Sequence, residues 1–200
     1  DVDPRRTPMV LWPTRPLLDL RATTAWTEFR GLSLVHGEAI ADAPSGCNHL
    51  TFRSCELQGG RYSVIVRGGA HDLVFDGVTF DGRFPAYVAR SDVKMPENAP
   101  PAHLMQDAAI DLEGAVAGIE IANCRFTRLF DAIDSTGAIS DIDVHRCEFT
   151  EIRDDAFEIA TEGRRIEFHH NTVRRAAAGV SRNGSHAPPS VDAGTKYVHH

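Results

Sequence analysis

Six segments of the chain align on one pattern, apolar-x-apolar-x-x-small-x-apolar, and their spacing restricts the fold more than any other property of the sequence. They are TEFRGLSL (27–34), LTFRSCEL (50–57), LVFDGVTF (73–80), IEIANCRF (119–126), IDVHRCEF (142–149) and IEFHHNTV (166–173). Their central residues Phe29, Phe52, Phe75, Ile121, Val144 and Phe168 follow at intervals of 23, 23, 46, 23 and 24. A fixed period of this length marks stacked units that bury their apolar faces only against one another.

A second column explains the doubled interval. Ahead of each segment lies another apolar-x-apolar unit: LDL (18–20), IAD (40–42), VIV (64–66), IDL (110–112), IDS (133–135) and FEI (157–159), with VSR (180–182) extending the series. Only the unit at Ile110 falls between Phe75 and Ile121, so residues 83–106 read as a loop inserted within one turn. Pro85, Pro96, Pro100 and Pro101 suit such an excursion and not a strand. Each turn then carries two short strands of period 2, separated by Gly, Asn and Asp corners. Helical periodicity is absent, and a sandwich would not hold one register so closely. The expected fold is an all-β, right-handed parallel β-helix of about seven turns, a single domain over residues 1–200. Equivalent residues of adjacent turns should stack about 4.8 Å apart around one continuous core.

Cys55, Cys124 and Cys147 fall in one column with Val78 and Asn171, which should point inward, where a thiol behaves as a small hydrophobe. Of the four cysteines, only Cys124 and Cys147 lie close enough for a disulfide, and no C-x-x-C metal spacing exists. At the other end, 197–200 repeats the register of 167–170, so the sequence stops in mid-strand with no visible cap. The expectation is a stretch of a longer protein, or a solenoid completed by a second chain. A further insertion, 183–195, sits at a different corner.

With 42% apolar and 24% charged residues the composition is that of an ordinary globular chain. A net charge of -7 disfavours nucleic acid and anionic membranes as partners. No apolar run approaches the length of a membrane span.

Chemistry is expected on the outward positions of the second-column strands. Read up the stack these are Asp19, Ala41, Ile65, Asp111, Asp134, Glu158 and Ser181, with Asp107, Asp131, Asp154 and Asp155 where the strands begin. Two like charges about 5 Å apart repel by roughly 3 kcal/mol at an effective dielectric of 20. Such a column takes up a cation, raises a pKa, or splays into water. Asp111, Asp134 and Glu158 form an oxygen-only ligand set of the kind that suits Ca²⁺. The plainer reading is that these are corner-capping, solvated carboxylates. In the inserted loop, Lys94 or Arg90 could neutralise a substrate carboxylate or abstract a proton, and His103 could be a general acid or base. Each also reads as a solvated loop residue. His145 and His169 should face outward one turn apart, either sharing a metal or forming a solvated ladder.

The phased strands, the Asn/Cys column and the short Gly corners resemble the pectin-lyase-like superfamily, and within it the bacterial right-handed β-helix repeat proteins, over nearly the whole chain from Leu18. That resemblance implies action on acidic polysaccharides, as lyase, glycoside hydrolase or uronate C5-epimerase, in an extracellular or periplasmic setting. It equally allows a structural or glycan-binding solenoid of the adhesin or tailspike kind. DAID (131–134), followed one turn later by RDDAFEIATEG (153–163), is similar to the Asp-bearing turns of polygalacturonase-type hydrolases. Carried over, Asp131, Asp154 and Asp155 would be acid and base. Those hydrolases have Gly-His-Gly on the next turn, where this chain has Ala178, Gly179 and Val180. The epimerases' Asp-Pro-His-Asp is also missing. The functional expectation is a lyase or hydrolase of an anionic polysaccharide held in a surface groove. Its expected catalytic residues come from Asp131, Asp134, Asp154, Asp155, Lys94 and His103, with Ca²⁺ bridging carboxylates and substrate.

Overall fold

A computed structural model describes residues 15–35, 37–83, 108–159 and 162–182, together with the backbone of 190–191 and 196–198. Within them every regular element is a strand, and there is no helix. The first turn carries β1 (Leu18–Asp19), β2 (Ala25–Arg30) and β3 (Ser33–Val35), and the second β4 (Ala39–Ala43), β5 (Asn48–Arg53) and β6 (Glu56–Gln58). β7 (Tyr62–Arg67), β8 (His71–Asp76) and β9 (Thr79–Asp81) follow, then β10 (Ala108–Glu113), β11 (Val116–Ala122) and β12 (Arg125–Leu129). β13 (Asp131–Ser135) and β14 (Ile139–His145) lead into the long β15 (Glu148–Ile159). β16 (Gly163–His169), β17 (Thr172–Arg182), β18 (Ser190–Val191) and β19 (Lys196–Val198) complete the order.

Every pairing is parallel, and each joins a strand to its counterpart one turn away. β2, β5, β8, β11, β14, β16 and β18 form a seven-stranded sheet, and the rest form a twelve-stranded one in which β15 and β17 run through a corner without a break. Seven stacked strands span about six turns, the intervals between them being one fewer than the strands. The molecule is therefore a parallel β-solenoid with a rise of one strand per 23 or so residues. Because β10 pairs directly with β7, no other described strand intervenes between the third and fourth turns.

The register confirms the apolar columns of the seven-stranded sheet. Phe29, Phe52 and Phe75 stack in turn, with ring centres 4.9 and 5.3 Å apart. A second file, Phe80, Phe126 and Phe149, stacks at 4.7 and 4.8 Å from the neighbouring sheet. Identical side chains one strand spacing apart meet face to face, so each rung extends the core of the one below.

Two bends recur from turn to turn, each at a residue of left-handed backbone conformation. Trp26, His49, Asp72, Gly118, Asp141 and Arg165, near the start of each strand of the seven-stranded sheet, occupy one, with φ between 50° and 66°. Gly31, Ser54, Gly77, Asn123, Arg146 and His170 occupy the other, with φ between 51° and 65°. Most are not glycine, although this conformation costs an L-residue roughly 1–2 kcal/mol. At the second bend the N–H of Gly31, Ser54, Gly77, Asn123 and Arg146 donates to a carbonyl one turn ahead, and these inter-turn bonds offset the strain. The thiol column lies just inside this bend. Cys55, Cys124 and Cys147 are buried and, like Cys47, free. Asn171 ends the column by accepting the Cys147 N–H through Oδ1 (2.8 Å) and donating from Nδ2 to the Val144 carbonyl (2.9 Å).

One assignment needs correction. The structure pairs Asp19 with Asp42 and Asp42 with Ile65, so Asp42, not Ala41, belongs to the outward column. Ala41 stacks with Leu18 and Val64 and points into the core. The run Ala39–Ala43 holds small apolar side chains on both sides of the strand, and the alternation that fixes register elsewhere is lost there.

Candidate functional site

The outward column of the twelve-stranded sheet runs Asp19, Asp42, Ile65, Asp111, Asp134, Glu158 and Ser181, in register from turn to turn. Asp42, second from the lower end, is ion-paired. Arg67 grips Asp42 with two parallel hydrogen bonds, Nε to Oδ1 and Nη2 to Oδ2, both 2.9 Å, while Nη1 reaches Glu113. A guanidinium shared between two carboxylates on different turns ties three rungs together. Beside it lies a cleft of about 220 Å³ lined by Glu38, Asp42, Tyr62, Ile65 and Arg67 among others. Arg61 lies over the Tyr62 ring, 5.1 Å from its centre, and its Nε has no hydrogen-bond partner.

The middle of the column is different. Asp111 was expected at the surface, and its position does face outward, yet the residue is only 4% exposed. Its Oδ1 is buried and accepts no hydrogen bond. Burial, followed by the charges of Asp134 and Glu113, pushes its carboxyl up to about 7, against the weaker opposing pull of Arg67 and Arg61. Asp134 directly above keeps partial access to solvent, as does Glu158.

Asp131, Asp154 and Asp155 are likewise not surface residues, all three being buried. Asp131 and Asp155 each lie two residues before a core residue, Ile133 and Phe157, so strand alternation turns them inward. β15 also carries one residue more than β17 between Ile152 and Asp155, a bulge that holds the extra residue beside Asp155. Asp131 then accepts the Asp155 N–H at 2.9 Å, and Asp154 donates its N–H to the Phe130 carbonyl at 2.8 Å. Burial pushes the Asp131 carboxyl up to about 9, with Asp154, Asp134 and Glu158 adding to the rise and the Asp155 N–H opposing it. One oxygen from each of Asp131, Asp154 and Asp155 lies within 4.8 Å of the others. Oxygens bound to one Ca²⁺ at 2.3–2.6 Å are at most about 5.2 Å apart, so this trio fits a hard cation. Asp111, Asp134 and Glu158, the set expected to hold calcium, do not appear among the convergent groups of the described residues. They stand one per turn along a line.

Lys94, His103 and Asp107 lie outside the described residues. His145 and His169 stack in register, ring centres 5.3 Å apart and planes 12° from parallel. His145 is only 7% exposed and its Nε2 faces Glu120 Oε1 at 3.3 Å. His169 Nε2 bonds Asp143 Oδ1 at 3.0 Å. Asp143 also faces His145 Nε2 from 3.9 Å, and Asp143, Glu167 and His169 each bring a ligand atom within 4.8 Å of the others.

Asp42, Tyr62, Arg61 and Arg67 were not singled out from the sequence. Asp42 was recoverable: an Asp at the outward position of a unit read one residue later joins the column. The arginines carry no such signal, since their relation to the column appears only when three rungs are stacked. No family model, curated protein or solved structure matches this chain.

Among the described residues no helix is long and apolar enough to cross a membrane.

Proposed function

We propose that the chain hydrolyses glycosidic bonds of an anionic polysaccharide laid along the carboxylate column, with Asp111 as general acid and Asp134 as its partner carboxylate. The observation that carries this reading is the stacking of a buried, neutral-leaning carboxyl directly against a partly hydrated one on the next turn. Glycoside hydrolysis needs such a pair, one group protonated near neutral pH to assist the leaving oxygen and the other ionised. Their register spacing of about 4.8 Å is close to the 5–5.5 Å or so of retaining enzymes. Asp134 would then attack the anomeric carbon as Asp111 protonates the leaving oxygen. Asp111, now a carboxylate, would take the proton of the incoming water that breaks the ester to Asp134.

Two further features support a uronate-bearing substrate despite the net negative charge. Arg61, next to the cleft residue Tyr62, and Arg67 in the cleft wall place positive charge near the column, and Asp131, Asp154 and Asp155 offer the geometry for a calcium ion at the column's edge. Lys94 and His103, the residues that would serve as bases in an elimination, lie outside the described residues, and the absorbance reading below separates elimination from hydrolysis. The same convergent trio favours a second reading, a calcium-stabilised solenoid that binds glycans without cleaving them.

The test is to incubate the protein with polygalacturonate, alginate and glucuronate-containing polymers, with and without Ca²⁺. Release of reducing ends without new absorbance at 235 nm is the outcome this reading requires. Absorbance at 235 nm would mean elimination, and glycan binding with neither signal would mean a lectin-like solenoid.

A further inference from the structure

The left-handed positions at the start of β5 and β8, in the second and third turns of the seven-stranded sheet, bring together three ligating side chains. His49 and Asp72 occupy equivalent positions one turn apart, since Asn48 pairs with His71 in register, and His71 is the residue before Asp72. Asp72 Oδ2 is 2.8 Å from His71 Nδ1 and 3.3 Å from His49 Nδ1. The three ligand atoms all lie within 4.8 Å of one another. We propose that His49, His71 and Asp72 form a site for a borderline divalent transition ion of the zinc class.

Donor chemistry comes first. Two neutral imidazoles and one carboxylate make a nitrogen-rich set that suits zinc, copper, nickel or iron(II), whereas calcium and magnesium require oxygens. The spacing agrees, because bonds of about 2.0–2.1 Å in a tetrahedral site place ligand atoms roughly 3.4 Å apart. The 3.3 Å separation matches that edge, and the 2.8 Å one, a hydrogen bond in the metal-free arrangement, would lengthen by about 0.6 Å on ligation.

Ring orientation separates this cluster from the other histidine pair. The His49 and His71 planes are 83° apart, and both Nδ1 atoms lie within 3.3 Å of the same Asp72 oxygen. The His145 and His169 planes are nearly parallel, and their nitrogens run alongside each other without meeting. The Trp26 ring stands edge-on to His49 at 83°, holding that imidazole on the turn above.

Hydrogen bonding within the cluster leaves one atom unexplained. His71 Nδ1 bonds Asp72 Oδ2, but His49 Nδ1 is buried and has no hydrogen-bond partner despite its closeness to the same oxygen. A buried polar nitrogen without a partner is costly in a native structure. A bound cation removes that cost at a stroke and also relieves His71, whose Nδ1 then ligates instead of donating. Three protein ligands on an exposed corner leave a fourth position for water or an exogenous group, the composition of an open site and not a closed structural one.

The experiment is calorimetric titration of chelator-treated protein with ZnCl₂ and, separately, CaCl₂, alongside three variants. Asp72→Asn preserves size and removes the charge, His49→Ala removes the nitrogen without a partner, and His169→Ala alters the parallel pair. The wild type is expected to bind one zinc ion at this site and to melt at higher temperature with it. Asp72→Asn and His49→Ala should each weaken binding by at least about tenfold, and His169→Ala should leave it unchanged, all three retaining the native circular dichroism. No zinc binding below millimolar concentration, equal binding by Asp72→Asn and His49→Ala, or loss confined to His169→Ala would each overturn the assignment.

Discussion

Asp111 occupies an outward position and is nonetheless buried, and that single placement governs how stability should depend on pH. Its folded pKa of about 7 lies above the ordinary value of 3.8. The folded state therefore holds this proton more tightly than the unfolded chain. The stabilisation is fully present below pH 4 or so and is lost as pH rises through about 7. Replacing Asp111 with Asn removes the ionisation. At pH 8 the variant should be more stable than wild type by on the order of 1–3 kcal/mol, with little difference at pH 4. Chemical denaturation at the two pH values checks this, and an Asn variant destabilised equally at both would contradict it. The thiols offer a second residue-scale test. Cys47, Cys55, Cys124 and Cys147 are all buried, so a maleimide should label none of them at a rate faster than unfolding. Burial of the cysteines was legible in the sequence because three of them repeat in one apolar column. The burial of Asp111 was not, since alternation tells inward from outward but not what covers an outward residue. The convergence of His49, His71 and Asp72 was hidden for a different reason: His49 aligns with Asp72 and not with His71.

The elements follow the sequence closely wherever large apolar residues alternate with polar ones. The strands containing Phe29, Phe52, Phe75, Ile121, Val144 and Phe168 all stack in the expected register. Ala39–Ala43 slipped by one because Ala39, Ile40 and Ala41 are all buried and give no polar phase. The bulge in β15 was visible only as one 24-residue interval among 23s, too slight to say which residue was extra. Phe126 sits mid-ladder between Phe80 and Phe149 with no exposure. Phe126→Ala should cost about 3–5 kcal/mol in denaturant unfolding, and a cost below 1 kcal/mol would mean the rungs do not pack as described. The connection after β9 makes a larger prediction. β9 and β12 are in register, as are β10 and β13, and the chain passes from Thr127 to Asp131 through Arg128, Leu129 and Phe130 alone. Replacing residues 82–107 by that short connector should leave a folded solenoid with a melting temperature within several degrees of wild type. Loss of the cooperative transition would show the segment to be integral to the stack.

At the scale of the whole molecule, a solenoid is held by contacts between successive turns, so its stability is close to a sum of neighbouring-rung terms. That architecture also explains why function should gather in columns. A residue type repeated once per turn becomes a line of charge about 4.8 Å per step, matched to an extended polymer and not to a compact ligand. The fold class was readable in advance because it depends only on period and alternation. The reaction was not, because it depends on which members of the carboxylate line are buried and which are hydrated. The measurement that bears most directly on the proposed hydrolysis is the pH–rate profile of reducing-end release, compared for wild type, Asp111→Asn and Asp134→Asn. Wild type should lose activity above a pKa of about 7, the pKa of the free enzyme's acid. Both variants should fall by at least about 100-fold while keeping the native fold and melting cooperatively. Activity that persists in both variants, or a wild-type profile flat through neutral pH, would contradict Asp111 and Asp134 as the catalytic pair.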